Sequence, residues 1–458
     1  MAARGESGGG PVGARFLVHA VLAGLTLILA IWLSTGTMAP YGATAWQPFV
    51  LEPCHYLINI DHYHFEAVYL MLQHADRSSW EPSVMLRRIL FPVLSLPFVR
   101  AFGFLAGGVI ASILLHVVAL IAFSVFVRRT VGEAGAITVM WLLATYPGIT
   151  YWAGLPYSYV VIVPGALACT MLLYASERSD RVRDIARWCL WLGMINLGYD
   201  LVPVFGPAVL LRLVIRRRWR AILPAVVTMI APTALLLLTF KAIHVDVLNS
   251  NTNNYAGPLS GYLHPLANPQ LWGRYVLQMP AIFITNFLFG NMLFLPLLFV
   301  AALLFARSER ARIVGPVDAA VLIAFLALFV FNNGAPPYRG WQMRGHWIAR
   351  LYQPVFAAFL MPVARLTELA TSRQMRAWRT AVVIAAVANA SITFGPILMN
   401  PLAAILYQRF YVHSPADSLL LNLRHYGRRP LGFCDPSHDL DHFKPEPLPP
   451  DWHVERIR

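Results

Sequence analysis

FLAGGVIASILLHVVALIAFSVFV, residues 104–127, followed at once by Arg128 and Arg129, decides the fold class. The run exceeds the roughly 20 residues that carry a helix across the hydrocarbon core of a bilayer, and His116 is its one titratable group. Comparable apolar runs fall at 16–34, 135–153, 156–175, 186–199, 201–215, 221–241, 282–306, 314–331, 351–364 and 380–399. The chain therefore reads as an all-α, polytopic transmembrane helix bundle of eleven spans. Composition agrees, because 58% of the 458 residues are apolar and only 13% charged, against about 45–50% and about 25% in soluble domains. A soluble enzyme, a disordered chain and an ordinary nucleic-acid binder are excluded. Only Lys241 and Lys444 among the 36 basic residues are lysine, a bias that fits a GC-rich, most often bacterial, genome.

The net charge of +14 invites a polyanionic partner until it is sorted by connector. Residues 1–15 form a short, Gly-rich, basic tail, and 16–34 is read as an uncleaved first helix, since Thr35-Gly36-Thr37-Met38-Ala39-Pro40 is a poor cleavage site. Arg128/Arg129, Arg178/Arg181/Arg183/Arg187, Arg212/Arg216/Arg217/Arg218/Arg220, Arg307/Arg310/Arg312 and Arg365/Arg373/Arg376/Arg379 then fall on the N-terminal side of the alternation. By the positive-inside rule that side is the cytoplasm of an inner, cytoplasmic membrane. Keeping that order requires Ile89–Phe102, though apolar, to lie on or dip into the outer leaflet instead of spanning. The expected organisation is a cytoplasmic tail (1–15), a transmembrane module (16–400) with outer loops 35–103, 242–281 and 332–350, and an extracytoplasmic tail (401–458). Cys169 and Cys189 fall inside spans as packing residues, whereas Cys54 and Cys434 share the outer side, where a disulfide is chemically open to them.

The first outer loop carries the most chemistry. It contains Asn59-Ile60-Asp61-His62-Tyr63-His64-Phe65-Glu66, then Arg87-Arg88-Ile89-Leu90-Phe91-Pro92. Residues 63–72 have helical spacing, with Phe65, Val68/Tyr69 and Leu72 on one face, so Asp61 opens an interfacial helix. On the residues alone, Asp61 serves either as an N-cap or as a reactive carboxylate. Arg87 and Arg88 serve either as a headgroup anchor or as phosphate ligands, for which a guanidinium fork is well matched.

A first helix, a long outer loop with an Asp opening an amphipathic helix, and an Arg-Arg-Ile-Leu-Phe-Pro segment meeting the membrane resemble the C-type (GT-C) glycosyltransferases. Many bacterial members of that family have Asp-Gly-Gln-Phe-Tyr-Tyr and then Arg-x-x-Arg-Ile-Leu-Tyr-Pro in these places. The likeness is firmest over residues 55–100 and looser to about residue 400; His62 stands where the family commonly has Gly. The resemblance implies an inverting transfer of a hexosyl or pentosyl group from a polyprenyl-phosphate donor to a glycan, lipid or protein acceptor in the cell envelope. It implies Asp61 as the general base, with Arg87, Arg88 and the late outer-face pair Arg344 and Arg350 around the donor phosphate. His62, His64, Glu66, Tyr157, Asp200 and His346 would line the site. Some members use a divalent cation, which leaves room for one near His62, His64 and Glu66; the resemblance implies no other cofactor. No nucleic acid is expected as a partner.

Elsewhere on the outer side, Tyr146–Trp152 and Tyr157-Ser158-Tyr159 read as an aromatic belt at the membrane interface, and Asp200 closes a helix end at membrane depth, where a carboxylate is costly unless it serves a cavity. The polar stretch 242–281 reads as an acceptor loop or a plain connector. In the tail, His438, Asp439 and His442 lack any known metal-ligand spacing and read as a solvated acidic turn. Competing readings are a lipid-linked-sugar transporter or flippase, which would show internal repeats and midplane charges, another extracytoplasmic transferase (an acyltransferase or polymer ligase), and a structural membrane subunit. A histidine-centred acyltransferase would need a His deep in a span, and His116, read as a packed polar residue, is the one strong candidate.

Overall fold

The structure, a computed structural model, describes residues 13–38, 62–75, 77, 80, 86–102, 104–146, 149, 153, 158–245, 294–306, 310–334, 353–372 and 375–394. These are almost entirely helical, in the order α1 (Ala14–Met38), α2 (His62–Leu72), α3 (Leu90–Phe102), α4 (Phe104–Thr130) and α5 (Glu133–Ala144), then a 3-10 turn (Ser158–Val161) leading into α6 (Ile162–Arg178). They continue with α7 (Val182–Asn196), α8 (Val202–Ile215), α9 (Trp219–Ala242), α10 (Phe294–Phe305), the single turn α11 (Arg310–Ile313), α12 (Pro316–Gly334), α13 (Phe356–Ser372) and α14 (Arg376–Phe394). No strand occurs among the described residues.

Four helical segments are long and apolar enough to cross a membrane: Ala14–Ile31, Gly107–Thr130, Tyr159–Arg178 and Trp219–Ala242. They fit a membrane protein. The remaining apolar helices, among them Leu90–Phe102, Glu133–Ala144 and Val202–Ile215, are shorter than the roughly 20 residues that cross the hydrocarbon core. The helix expected over 135–153 stops at Ala144 because Pro147 follows closely; a proline has no backbone N–H to donate and disfavours helical backbone in the residue before it. The segment Tyr159–Arg178 is 72% buried and Trp219–Ala242 only 22%, so α6 runs through the centre of the bundle and α9 along its edge. Outward faces are apolar, with Leu17, Val21 and Leu25 exposed on α1 and Leu223, Val227, Leu235 and Leu238 on α9. Water penalises such stripes and lipid does not.

Neighbouring helices pack pairwise, α7 on α9, α3 on α4, α12 on α8, and α13 and α4 on α5. Glycine sets two of these approaches. A Cβ on Gly107 would lie 2.3 Å from the Phe98 carbonyl oxygen, and one on Gly193 would lie 2.4 Å from that of Met229. Close backbone contact of this kind replaces the hydrophobic drive that helices lack within lipid.

Contacts between helix ends divide the bundle in two. At one end, Arg128 covers the Phe16 ring (5.2 Å to its centroid) and lies near Glu133, Glu177 accepts from Arg212 (2.6 Å), Asp180 pairs with Arg218, and Arg365 pairs with Asp318. At the other end, Leu90 N–H donates to the Leu197 carbonyl (3.1 Å), the Thr393 hydroxyl donates to the Thr145 carbonyl (2.9 Å), and Tyr146 stacks on Phe356. Among the described residues, Arg128, Arg212, Arg218 and Arg365 thus gather at a single end.

Candidate functional site

At the end opposite the basic connectors, the chain entering α3 meets the turn between α7 and α8. The Leu90–Leu197 backbone bond pins the two segments together. Gly198 allows the turn to press on the start of α6, since a Cβ there would lie 2.7 Å from Val161 Cγ1. These two local features bring Arg87 and Arg88 onto Asp200, more than a hundred residues away in sequence. Asp200 Oδ2 accepts from Arg88 Nη2 at 2.7 Å and from Arg87 Nη2 at 3.1 Å.

The two arginines are not equivalent. Arg88 is 6% exposed, and its guanidinium carbon lies 4.8 Å from the Tyr199 ring centroid and 5.7 Å from that of Tyr159. The two rings meet edge to face at 6.0 Å. The Arg87 side chain keeps 20% of its surface exposed. Burial, the largest influence, pulls the Arg88 guanidinium toward neutrality, but the Asp200 carboxylate and the two tyrosines outweigh it, so its pKa is raised and it stays charged. Only Nη2 of Arg88 is matched by Asp200. Its Nε and Nη1 are buried without a hydrogen-bond acceptor, at a cost of roughly 1–3 kcal/mol for each unsatisfied group. Chemically, N–H groups of this kind are matched to the oxygens of an anion.

Beside it, α2 is fastened by a second core of Ala67, Val68, Tyr69, Leu70, Trp80, Leu86, Val99, Phe240 and Val245. Ser95 Oγ donates to the Phe91 carbonyl (2.8 Å), so the Tyr69 hydroxyl donates to Ser95 Oγ at 2.6 Å. Burial raises the Tyr69 pKa, keeping the phenol protonated and able to donate. The expected interfacial helix is present at residues 62–72, but four consecutive positions, 67–70, are buried. It is enclosed on several sides instead of resting on one apolar face.

Of the residues singled out from sequence, Arg87, Arg88 and Asp200 come together. His62, His64 and Glu66 lie on α2, with side chains outside the described residues, as are Asp61, Tyr157, Arg344, His346 and Arg350. Cys54, Cys434 and the tail residues His438, Asp439 and His442 also fall outside them. Among the described residues no group of three or more His, Cys, Asp or Glu is arranged to hold a metal ion. Cys169 and Cys189 are buried and free. His116 is buried with Nδ1 2.8 Å from the Ser112 carbonyl oxygen, the packed role expected of it.

The aromatic-belt reading is corrected for Tyr146 and Tyr159, which are buried in the core. Tyr146 stacks on Phe356, and Tyr159 with Tyr199 flanks Arg88. The usable signal was the aromatic beside an acid, Tyr199-Asp200, at the same predicted end as Arg87-Arg88. No protein-family model, curated protein or solved structure matches the chain.

Proposed function

We propose that the protein is an integral-membrane glycosyltransferase of the GT-C type, with eleven spans, its N-terminus in the cytoplasm and its site on the extracytoplasmic side of the inner membrane. It moves a sugar from a polyprenyl-phosphate donor to an extracytoplasmic acceptor. The acceptor hydroxyl attacks the anomeric carbon from the face opposite the phosphate, and Asp61 takes the hydroxyl proton. The bond from the anomeric carbon to the phosphate oxygen breaks, its electron pair leaves with the polyprenyl phosphate, and the sugar inverts. Arg87 and Arg88, with Arg344 and Arg350, stabilise the negative charge on the departing phosphate.

One observation carries this reading: a buried, charged Arg88 with two unmatched nitrogens stands at the end of the bundle away from the basic connectors, sixteen residues in sequence beyond Leu72, the last residue of the helix that follows Asp61. A headgroup anchor needs no such burial, and a structural subunit needs no unmatched guanidinium.

The test is to incubate the purified protein, in lipid nanodiscs, with radiolabelled polyprenyl-phosphate sugars and a membrane-fraction acceptor. The proposal predicts stoichiometric release of polyprenyl phosphate with label appearing in the acceptor. Movement of an intact donor across a vesicle bilayer without its cleavage would instead identify a transporter.

A further inference from the structure

We infer that Arg88 is the principal ligand of a prenyl-linked phosphate, that Asp200 is its positioning residue, and that Tyr159 and Tyr199 hold the guanidinium plane. This rests on the reading above and sharpens it, because the two arginines next to each other in sequence receive different roles.

The argument begins with which nitrogens are occupied. Asp200 takes Nη2 of Arg88 at 2.7 Å, while Nε and Nη1 are buried without acceptors. Rings on two segments, Tyr159 in the 3-10 turn before α6 and Tyr199 in the turn before α8, lie 5.7 and 4.8 Å from the guanidinium carbon and limit its tilt. A guanidinium fixed in position through one nitrogen, with its others unmatched, is prepared for an oxyanion. Arg87 shares the same Asp200 oxygen at 3.1 Å, and its side chain is more exposed, 20% against 7% for Arg88, so it adds charge nearer the surface.

Asp200 therefore acts in two opposing ways. Its hydrogen bond orients Arg88, which favours binding, and its negative charge repels the incoming phosphate, which disfavours binding and speeds release of the phosphate product. Asn at this position keeps an acceptor oxygen for Nη2 and removes the charge. Ala removes both. The two variants should consequently move affinity in opposite directions, which a purely structural role would not produce.

The experiment measures binding of farnesyl phosphate to the purified full-length protein in detergent by ligand-induced thermal stabilisation, with farnesol and inorganic phosphate as parallel arms. Asp200→Asn is expected to tighten farnesyl phosphate binding several-fold, and Asp200→Ala and Arg88→Lys to weaken it by about tenfold or more, the scale of one charge-assisted hydrogen bond. Each variant is first compared with wild type by size-exclusion profile and unliganded melting temperature. Where Arg88→Lys does not fold, the opposed shifts of the two Asp200 variants carry the test. Shifts of the same sign in Asp200→Asn and Asp200→Ala overturn the positioning role. Equal stabilisation by farnesol overturns the phosphate site, and equal stabilisation by inorganic phosphate assigns it to a soluble ion and overturns the lipid-linked ligand. Opposed shifts in a protein that transfers no sugar uphold this inference and reject the glycosyltransferase reading. Sugar transfer without those shifts does the reverse.

Discussion

Arg88 and Asn389 both bury polar atoms that lack hydrogen-bond partners, and their surroundings separate them. Arg88 has a counter-ion and two aromatic rings around it, so its unmatched nitrogens belong to a built, charged site. Asn389, 1% exposed on α14, has both amide atoms unmatched among apolar helices, so it costs stability without offering a site. Replacing Asn389 with the similarly sized Leu should stabilise the protein by about 1–2 kcal/mol, read as a higher midpoint in thermal unfolding in detergent; an unchanged or lower midpoint would contradict this. At this scale the sequence was legible only in part. Arg87, Arg88 and Asp200 could each be picked out by charge and position, but the pairing across more than a hundred residues could not, because spacing reports neighbours along a helix and not contacts between helices. The same limit hid Tyr159 and Tyr199, whose aromatic character at a predicted helix end fits an interface belt and a core equally well.

Among the elements, helix boundaries followed hydrophobicity closely. The run expected at 221–241 is Trp219–Ala242, and that at 201–215 is Val202–Ile215. Over 135–153 apolar content continues through Pro147, but backbone chemistry ends the helix at Ala144. What joins the elements was not legible. Asp318 at the start of α12, 1% exposed, accepts from Tyr174 on α6 (2.8 Å), from Arg365 on α13 and from the Gly315 N–H (3.1 Å). Arg365 also donates to the Ile313 carbonyl (2.6 Å). This network ties three helices at the basic end, whereas in the sequence Arg365 reads only as a topology signal. Asp318→Ala leaves a guanidinium and a phenol without their shared acceptor, and breaking a buried pair from one side costs about 3–5 kcal/mol. The expected outcome is a marked loss of thermal stability in Asp318→Ala and none of that size in Asp180→Ala, whose carboxylate is exposed.

For the whole molecule, the proposed topology puts most of the excess of 14 positive charges on one side of the membrane. Arg128, Arg212, Arg218 and Arg365 meet acids at one end of the bundle, and Arg87 and Arg88 meet Asp200 at the other. A single cysteine at position 61 and another at position 217, each in a chain lacking Cys54 and Cys434, should therefore label from opposite sides of intact cells. Asp61→Cys should react with an impermeant maleimide directly, and Arg217→Cys only after permeabilisation. Labelling of both from one side would overturn the topology. The central claim, that the carboxylate opening α2 is the base for sugar transfer from a lipid phosphate, is tested most directly by Asp61→Asn. Loss of a positioned general base costs about 10²–10⁴-fold in rate. The account predicts a fall of that size in transfer from a polyprenyl-phosphate sugar, with farnesyl phosphate binding retained; an Asp61→Asn protein that transfers sugar at the wild-type rate would contradict it.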